Sequence, residues 1–340
     1  MKVFFDGVIF SLQNSGGISV YYDELINGLR ERDVQTEILL YKNESSHVEN
    51  FCVNNKARLH INVERFLDVK MPSEARGIFH SSYYRLPSNK NLKIITTLHD
   101  FTYEKFVKGP AQWVHTWQKN RAIQNSDIII CVSNNTAQDL MEYCYVDESR
   151  VRVVHNGVSE IYHPLSQISD FNNSMVLFVG ARGGYKNFHL AIEAVAAIPD
   201  LELHVVGGGA FSSDELQQLE KQLPGRYRWL GRLSDEALNK AYNRAYALLY
   251  PSSYEGFGIP IIEAMRAGCP VVAVNVSSIP EVAGDAAILV DLPSASALSD
   301  ALRFVSARRQ QLITAGMAQA AKFSWARCIN ETLAVYNELL

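Results

Sequence analysis

Two glutamates eight positions apart, Glu255 and Glu263, bracket the run Gly256-Phe257-Gly258-Ile259-Pro260. A glycine loop that feeds a helix leaves backbone N–H groups and the positive end of the helix dipole facing outward, which suits a phosphate. Pro260 fits a first helical turn, and Gly268 with Pro270 closes the helix. Glu255 then falls in the loop and Glu263 on the first turn. Two carboxylates so spaced can grip hydroxyls at separate places along an elongated polar ligand, and sugar rings carry such hydroxyls. The plainer alternative makes Glu255 a solvated loop residue and Glu263 an acid favoured by the dipole. The motif alone leaves the two readings even.

A second loop, Gly180-Ala181-Arg182-Gly183-Gly184-Tyr185-Lys186-Asn187, holds two cations four residues apart in a glycine-loosened turn. Arg182 and Lys186 are expected to converge on one diphosphate; two surface cations on a turn is the bland alternative. It is not a P-loop, because Asn187 follows the lysine where Ser or Thr is required. Asn14-Ser15-Gly16-Gly17-Ile18 opens a helix after the first strand without dinucleotide spacing, and Gly207-Gly208-Gly209 reads as a flexible strand-to-helix turn. His99 and Asp100 end the strand Ile94–Leu98, where side chains point toward a ligand. No Asp-x-Asp occurs, so cations are expected to do the work that a divalent ion does elsewhere.

The elements that carry these loops alternate. Strands are expected at Lys2–Phe5, Thr36–Tyr41, Gly77–His80, Lys93–Leu98, Ile128–Val132 and Val151–His155. The pattern restarts at Val176–Val179, Leu203–Val206, Arg228–Leu230, Ala247–Tyr250, Val271–Ala273 and Ile288–Val290. Helical periods lie between them, as at Ile18–Arg30. The fold class is therefore α/β, with two doubly wound parallel-sheet domains facing a central cleft. A linker-like stretch, Tyr162–Asn173, divides the chain into 1–165 and 166–322, followed by a helical tail 323–340.

With 32 Lys+Arg against 36 Asp+Glu among 340 residues the net charge is −4, which argues against binding nucleic acid through phosphate neutralisation. No apolar run approaches the roughly 18 residues that cross a bilayer, so a cytoplasmic protein is expected. Five scattered cysteines without Cys-x-x-Cys, and histidines without His-Glu-x-x-His, offer neither a disulfide frame nor a metal cage.

In their order along the chain these loops resemble the retaining glycosyltransferases of family 4, which have the GT-B fold. The resemblance runs through Gly16-Gly17-Ile18, Thr97-Leu98-His99-Asp100, Val132-Ser133, Asn156-Gly157-Val158, Gly180 to Asn187, Glu255 to Glu263 and Pro280 to Ala287. It implies an acceptor-side first domain completed by the tail helix, and a second domain that binds a nucleotide-sugar donor. By the same resemblance Glu263 holds ribose hydroxyls, Glu255 touches the transferred sugar, and the amides of Gly256, Phe257, Gly258 and Ile259 hold sugar hydroxyls and the distal phosphate. Arg182 and Lys186 match the diphosphate clamp, Gly16 and Gly17 the loop closing over it, and His99, beside Asp100, a histidine near the donor sugar. The base rests near Leu233. The expected chemistry is a front-face transfer with retention, needing neither metal nor cofactor. Where family members often have Arg-Lys-Asn this chain has Tyr185-Lys186-Asn187, one cation fewer.

The partners this implies are a nucleotide sugar and a glycan or lipid-linked glycan acceptor. Family breadth favours UDP-glucose, with GDP-mannose a close second. A sugar-nucleotide epimerase of the same fold and a catalytically silent glycan binder are the alternatives. Trp113 and Trp117, four apart on a helix at 111–123 beside Lys119 and Arg121, suggest peripheral membrane contact. Core packing of both Trp with the cations outside is the favoured expectation for that helix.

Overall fold

The computed structural model describes residues 1–13, 16–40, 52–54, 61–166 and 173–340; Asn14, Ser15, Tyr41 and the middle of the expected linker lie outside the described residues. The chain divides into two compact units, Met1–Gly157 with Trp325–Leu340, and Val158–Ser324. The boundary thus falls eight residues before the expected 165/166, and Tyr162 belongs to the second unit.

The first unit is built on seven strands: β1 Lys2–Asp6, β2 Gln35–Leu40, β3 Cys52–Asn54, β4 Ile78–Ser81, β5 Lys93–Leu98, β6 Ile128–Cys131 and β7 Val151–Val153. They pair in parallel in the order β3-β2-β1-β4-β5-β6-β7. Ile128-Ile129-Ile130-Cys131 is buried throughout, as a parallel strand covered on both faces must be. The short β3 was not foreseen.

One face of this sheet is covered by the helix Gly17–Arg30 and by the tail helix Trp325–Asn337, which share a core with Tyr21, Tyr22, Leu25, Leu29, Cys328, Ile329 and Tyr336. Gly28 makes that contact possible, since a Cβ there would stand 2.1 Å from Ile329 Cδ1.

The second unit holds β8 Met175–Val179, β9 Glu202–Val206, β10 Tyr227–Gly231, β11 Ala247–Tyr250, β12 Val271–Val274 and β13 Ile288–Val290, in the parallel order β10-β9-β8-β11-β12-β13. Leu298, Ala301, Leu302 and Val305, on the 26-residue helix Ala295–Ala320, pack into its core. Successive crossovers leave β8 in opposite directions, so β8 and β11 flank the switch point, where the loops after both strands diverge and leave room for a ligand. Those two loops carry Lys186 and Glu255.

Candidate active site

In the second unit, β8 ends in Gly180 and the chain tightens into a 3-10 turn at Gly184–Lys186. Asn187 closes the turn in the left-handed region, φ 51°, a conformation that asparagine tolerates. Its side-chain amide donates to Pro251 O at 2.9 Å and Ser253 Oγ at 2.6 Å, and Ser253 N donates to Tyr185 O at 2.8 Å. The loop after β8 is thereby stitched to the loop after β11. Lys186 Nζ lies 2.5 Å from Glu255 Oε1, and the two side chains are only 14% and 11% exposed. The ammonium also stands 5.4 Å from the Tyr250 ring centre; burial and the neighbouring Glu255 hold the Tyr250 hydroxyl protonated.

Beyond Glu255 the backbone is pinned by two serines. Ser277 Oγ accepts from Glu255 N at 2.9 Å, and Ser278 Oγ lies 2.9 Å from the carbonyls of both Glu255 and Phe257. Phe257 is buried against the Phe323 ring, while Gly258, at φ 101°, turns the chain into the helix Ile259–Arg266. No side chain caps that helix start, which leaves the positive end of its dipole a few residues along the chain from Glu255.

Glu263, on the same helix, accepts from the Tyr242 hydroxyl at 3.1 Å and is also hydrogen-bonded by Tyr162, whose own hydroxyl reaches Asp235 at 3.1 Å. Burial raises its carboxyl to about 7, against the two hydrogen bonds that pull it down. It can therefore change charge at neutral pH. Sequence reading found Glu263 but not Tyr162 and Tyr242; Tyr162 was hidden inside a stretch read as linker. Leu233 follows β10 and borders a cavity of about 470 Å³ with Met175, His204, Arg228 and Lys240 on its walls; Lys186, Glu255 and Glu263 do not line it.

Arg182 departs from expectation. Its Nε and one terminal nitrogen bind Glu215 at 2.8 and 3.2 Å, and the remaining donors go to the carbonyls of Gly207 at 3.1 Å, Gly209 at 3.0 Å and Ala210 at 2.8 Å. A guanidinium has five N–H donors, and all five are committed within the chain. Its side chain is 5% exposed and lies over the Phe211 ring. It does not converge with Lys186. Instead it builds the Gly207-Gly208-Gly209 turn, and Gly208, at φ 69°, has no room for a Cβ beside the guanidinium, which would stand 2.5 Å away.

In the first unit, His99 follows β5 with its ring edge-on to Tyr21 at 5.0 Å and near Tyr22 at 6.1 Å. Burial lowers its pKa to about 3, so the imidazole is neutral, and its Nε2 is buried without a partner. Asp100 Oδ1 accepts at 3.1 Å from the N–H of Thr102, the first residue of the short helix Thr102–Phe106. Behind Tyr21 runs a buried chain not foreseen from the sequence. Tyr336 Oη meets His80 Nδ1 at 2.6 Å, His80 Nε2 meets Thr97 Oγ1 at 2.8 Å, and Thr97 Oγ1 meets Tyr21 Oη at 3.3 Å. Gly16 and Gly17 open the helix Gly17–Arg30, with the Gly16 N–H donating to Ser19 Oγ at 2.9 Å.

The helix Pro110–Asn125 is reversed relative to the favoured expectation. His115, Gln118 and Lys119 are buried, while Trp113 is 70% and Trp117 58% exposed. Among the described residues no helix is long and apolar enough to cross a membrane, and no group of three or more His, Cys, Asp or Glu gathers as a metal site.

Two doubly wound parallel-sheet units, the second with a lysine and a helix-opening glycine loop meeting at its switch point, define the GT-B class of fold. The comparisons agree with that class. The model described as Glycosyltransferase Family 4 matches residues 15–160, and that described as Glycosyl transferases group 1 matches residues 166–318. The O-antigen chain mannosyltransferase B of Escherichia coli is 29% identical across 77% of this chain and 74% of its own length. An uncharacterized glycosyltransferase of Methanocaldococcus jannaschii is 27% identical across 95% of both chains. Among solved structures, sucrose-phosphate synthase from Thermosynechococcus elongatus superposes with a TM-score of 0.79 over 100% of this chain and 99% of that one, at 19% identity. The chain belongs to the family 4 glycosyltransferases of GT-B fold.

Proposed function

We propose that this glycosyltransferase moves a hexose from a nucleoside-diphosphate sugar to a glycan or lipid-linked glycan acceptor in polysaccharide assembly, with retention at the anomeric carbon. The observation that carries the reading is the corner where Lys186 and Glu255 meet at 2.5 Å beside the uncapped start of the helix Ile259–Arg266. A diphosphate set there receives one ammonium and a row of amides. These act on the charge that grows as the bond from C1 to the phosphate oxygen breaks.

In this mechanism Glu263 receives the ribose hydroxyls and Glu255 a hydroxyl of the sugar. The acceptor oxygen bonds to C1 on the face the diphosphate leaves, and its proton passes to the departing phosphate oxygen. Glu255 is ion-paired with Lys186, which makes it a weak nucleophile and favours this front-face route over a covalent intermediate. His99, in the first unit, is neutral, and its unpartnered Nε2 can make one hydrogen bond with a substrate hydroxyl there. Lys186 and the helix-start amides take the role that a metal has in other transferases.

The sequence favoured UDP-glucose over GDP-mannose; the likeness to an O-antigen mannosyltransferase reverses the order in which donors should be tried. The outward Trp113 and Trp117, with exposed Phe106 and Lys108 nearby, support peripheral contact with an anionic membrane surface, where a lipid-linked acceptor would be met. The buried, free Cys131, Cys144, Cys269 and Cys328 fit a reducing, cytoplasmic setting.

The test is incubation with a panel of nucleotide sugars, following nucleotide release and the anomeric configuration of the product by NMR. Release of a nucleoside diphosphate and an α-linked product from an α-linked donor is expected. Inversion at C2 of the nucleotide sugar would mean an epimerase, and binding without turnover a silent relative.

A further inference from the structure

Inside the second unit, Glu263 stands in a chain of hydroxyls and carboxylates with one proton too few for every contact. The Tyr162 hydroxyl donates to Asp235 Oδ1 at 3.1 Å and is also hydrogen-bonded to Glu263, which accepts from the Tyr242 hydroxyl at 3.1 Å. A phenol has a single proton. With that proton on the side of Asp235, the contact between Tyr162 and Glu263 holds only if Glu263 carries a proton of its own. With Glu263 ionised, the phenol has to turn its O–H to Glu263 and leave Asp235.

The tyrosine itself is fixed, so only its O–H can turn. Its ring is 3% exposed and stands edge-on to the Tyr242 ring at 6.0 Å. Arg266 Nε donates to its carbonyl at 3.1 Å, and the next residue, His163, donates its N–H to Asn239 Oδ1 at 3.2 Å. The two carboxylates are unequal rivals. Asp235 is exposed on the first turn of the helix Asp235–Arg244, where negative charge is favoured and water can replace a lost donor. Glu263 is only partly accessible, and what acts on it is burial, the two tyrosine hydroxyls and the like charge of Asp235. Of the other titratable groups nearby, the Tyr250 hydroxyl is held protonated in part by Glu263 itself, and the Cys269 thiol is pushed up by burial to about 12.

We propose that Tyr162 is a positioning residue for Glu263, a proton switch that turns its O–H from Asp235 to Glu263 and so readies Glu263, as a carboxylate, for a vicinal diol. An ionised carboxylate offers oxygens to two hydroxyls, whereas a carboxylic acid keeps a proton on one of them. This rests on the reading of Glu263 as the acid that meets the ribose of the donor.

The test titrates the Glu263 carboxyl carbon in ligand-free protein labelled with 13C-glutamate, its signal assigned with Glu263→Gln. Tyr162→Phe keeps the ring and removes the switch, so the midpoint should rise by about 1 pH unit; Asp235→Asn removes the like charge and weakens the rival acceptor, so it should fall by about 0.5 unit. In the Tyr162→Phe background Asp235→Asn should move it less than about half as far, because the two no longer share a proton. A Tyr162→Phe midpoint within about 0.2 unit of wild type overturns the proposal, and so does an Asp235→Asn shift of equal size in both backgrounds.

A second readout follows the affinity for UDP-glucose and GDP-mannose against pH. Tyr162→Phe should weaken binding of the nucleotide sugar that the protein accepts by about fivefold at pH 7, and the loss should vanish by about pH 9 as Glu263 ionises without help. A loss of the same size at both pH values overturns the proposal, since Tyr162 would then be a contact or packing residue alone. Protein that binds neither compound would defeat the ribose reading, yet leave the carboxyl signal to decide whether the switch exists.

Discussion

Arg182 and Lys186 sit four residues apart on one loop of the second unit, carry the same charge, and do different work. Arg182 gives all five donors to Glu215 and to the carbonyls of Gly207, Gly209 and Ala210, and is a strut for the turn after β9. Lys186 extends to the loop after β11 and meets Glu255 beside a helix start. The difference shows that two like charges on one glycine loop can be committed to different partners, one to backbone carbonyls and one to a carboxylate across the switch point. Arginine, planar and with five donors in a fixed fork, is the residue more readily absorbed by backbone carbonyls.

The comparison can be broken most severely at Lys186. Lys186→Ala should lower kcat/KM for the donor by about a thousandfold, the scale of removing a preorganised charge from a transferring group. The loss should be the same with or without a chelator; activity that survives the substitution and vanishes on chelation would contradict the metal-free reading. Arg182→Ala should do the reverse. It leaves Glu215 and three carbonyls short of a partner, so stability should fall by about 2 kcal/mol in denaturant unfolding. Donor kcat/KM per folded molecule should stay within about fivefold of wild type, and a loss as deep as that of Lys186→Ala would erase the distinction.

Glu263 sharpens the picture at the other end of the donor. Its folded-state pKa is raised to about 7 by burial, from an ordinary 4.5. Its contribution to stability is therefore complete below the unfolded value and is lost as pH rises from about 4.5 through 7. In the proposed mechanism donor binding should run the opposite way, because the ionised carboxylate would accept both ribose hydroxyls. Donor affinity should rise about tenfold between pH 6 and 8, following the ionised fraction. Glu263→Gln should flatten both profiles, which titration calorimetry and thermal unfolding across that range would check.

The smallest expected effect is on the first unit's surface. Trp113→Ser/Trp117→Ser should reduce sedimentation with anionic phospholipid vesicles by about tenfold and leave Tm within about 2 °C, since both rings are already in water. Equal sedimentation of both proteins would remove the membrane reading.

Much of this architecture was legible because parallel strands covered on both faces read as dense β-branched runs, as in Ile128-Ile129-Ile130. Glycine loops at their ends marked where the chain turns. The short β3 escaped because three residues, Cys52-Val53-Asn54, make no pattern of their own. The helix Ala295–Ala320 escaped because its apolar face is thin and alanine-rich. At the site, residue types were readable and donor counts were not. Nothing in Arg182-x-x-x-Lys186 tells which cation is matched by Glu215, 33 residues on. Helix 110–125 misled for a related reason. Tryptophan is expected inside and lysine outside, but Glu104 and the Asp100 carbonyl give Lys119 the partners that allow burial, leaving the aromatic face outward.

The most direct test is a crystal structure of the protein with a bound nucleoside-diphosphate sugar. The account predicts a diphosphate oxygen about 3 Å from Lys186 Nζ, ribose hydroxyls on Glu263, and Arg182 still bound to Glu215. A diphosphate that draws Arg182 away from Glu215, or that binds while Lys186 stays turned to Glu255 alone, would contradict it.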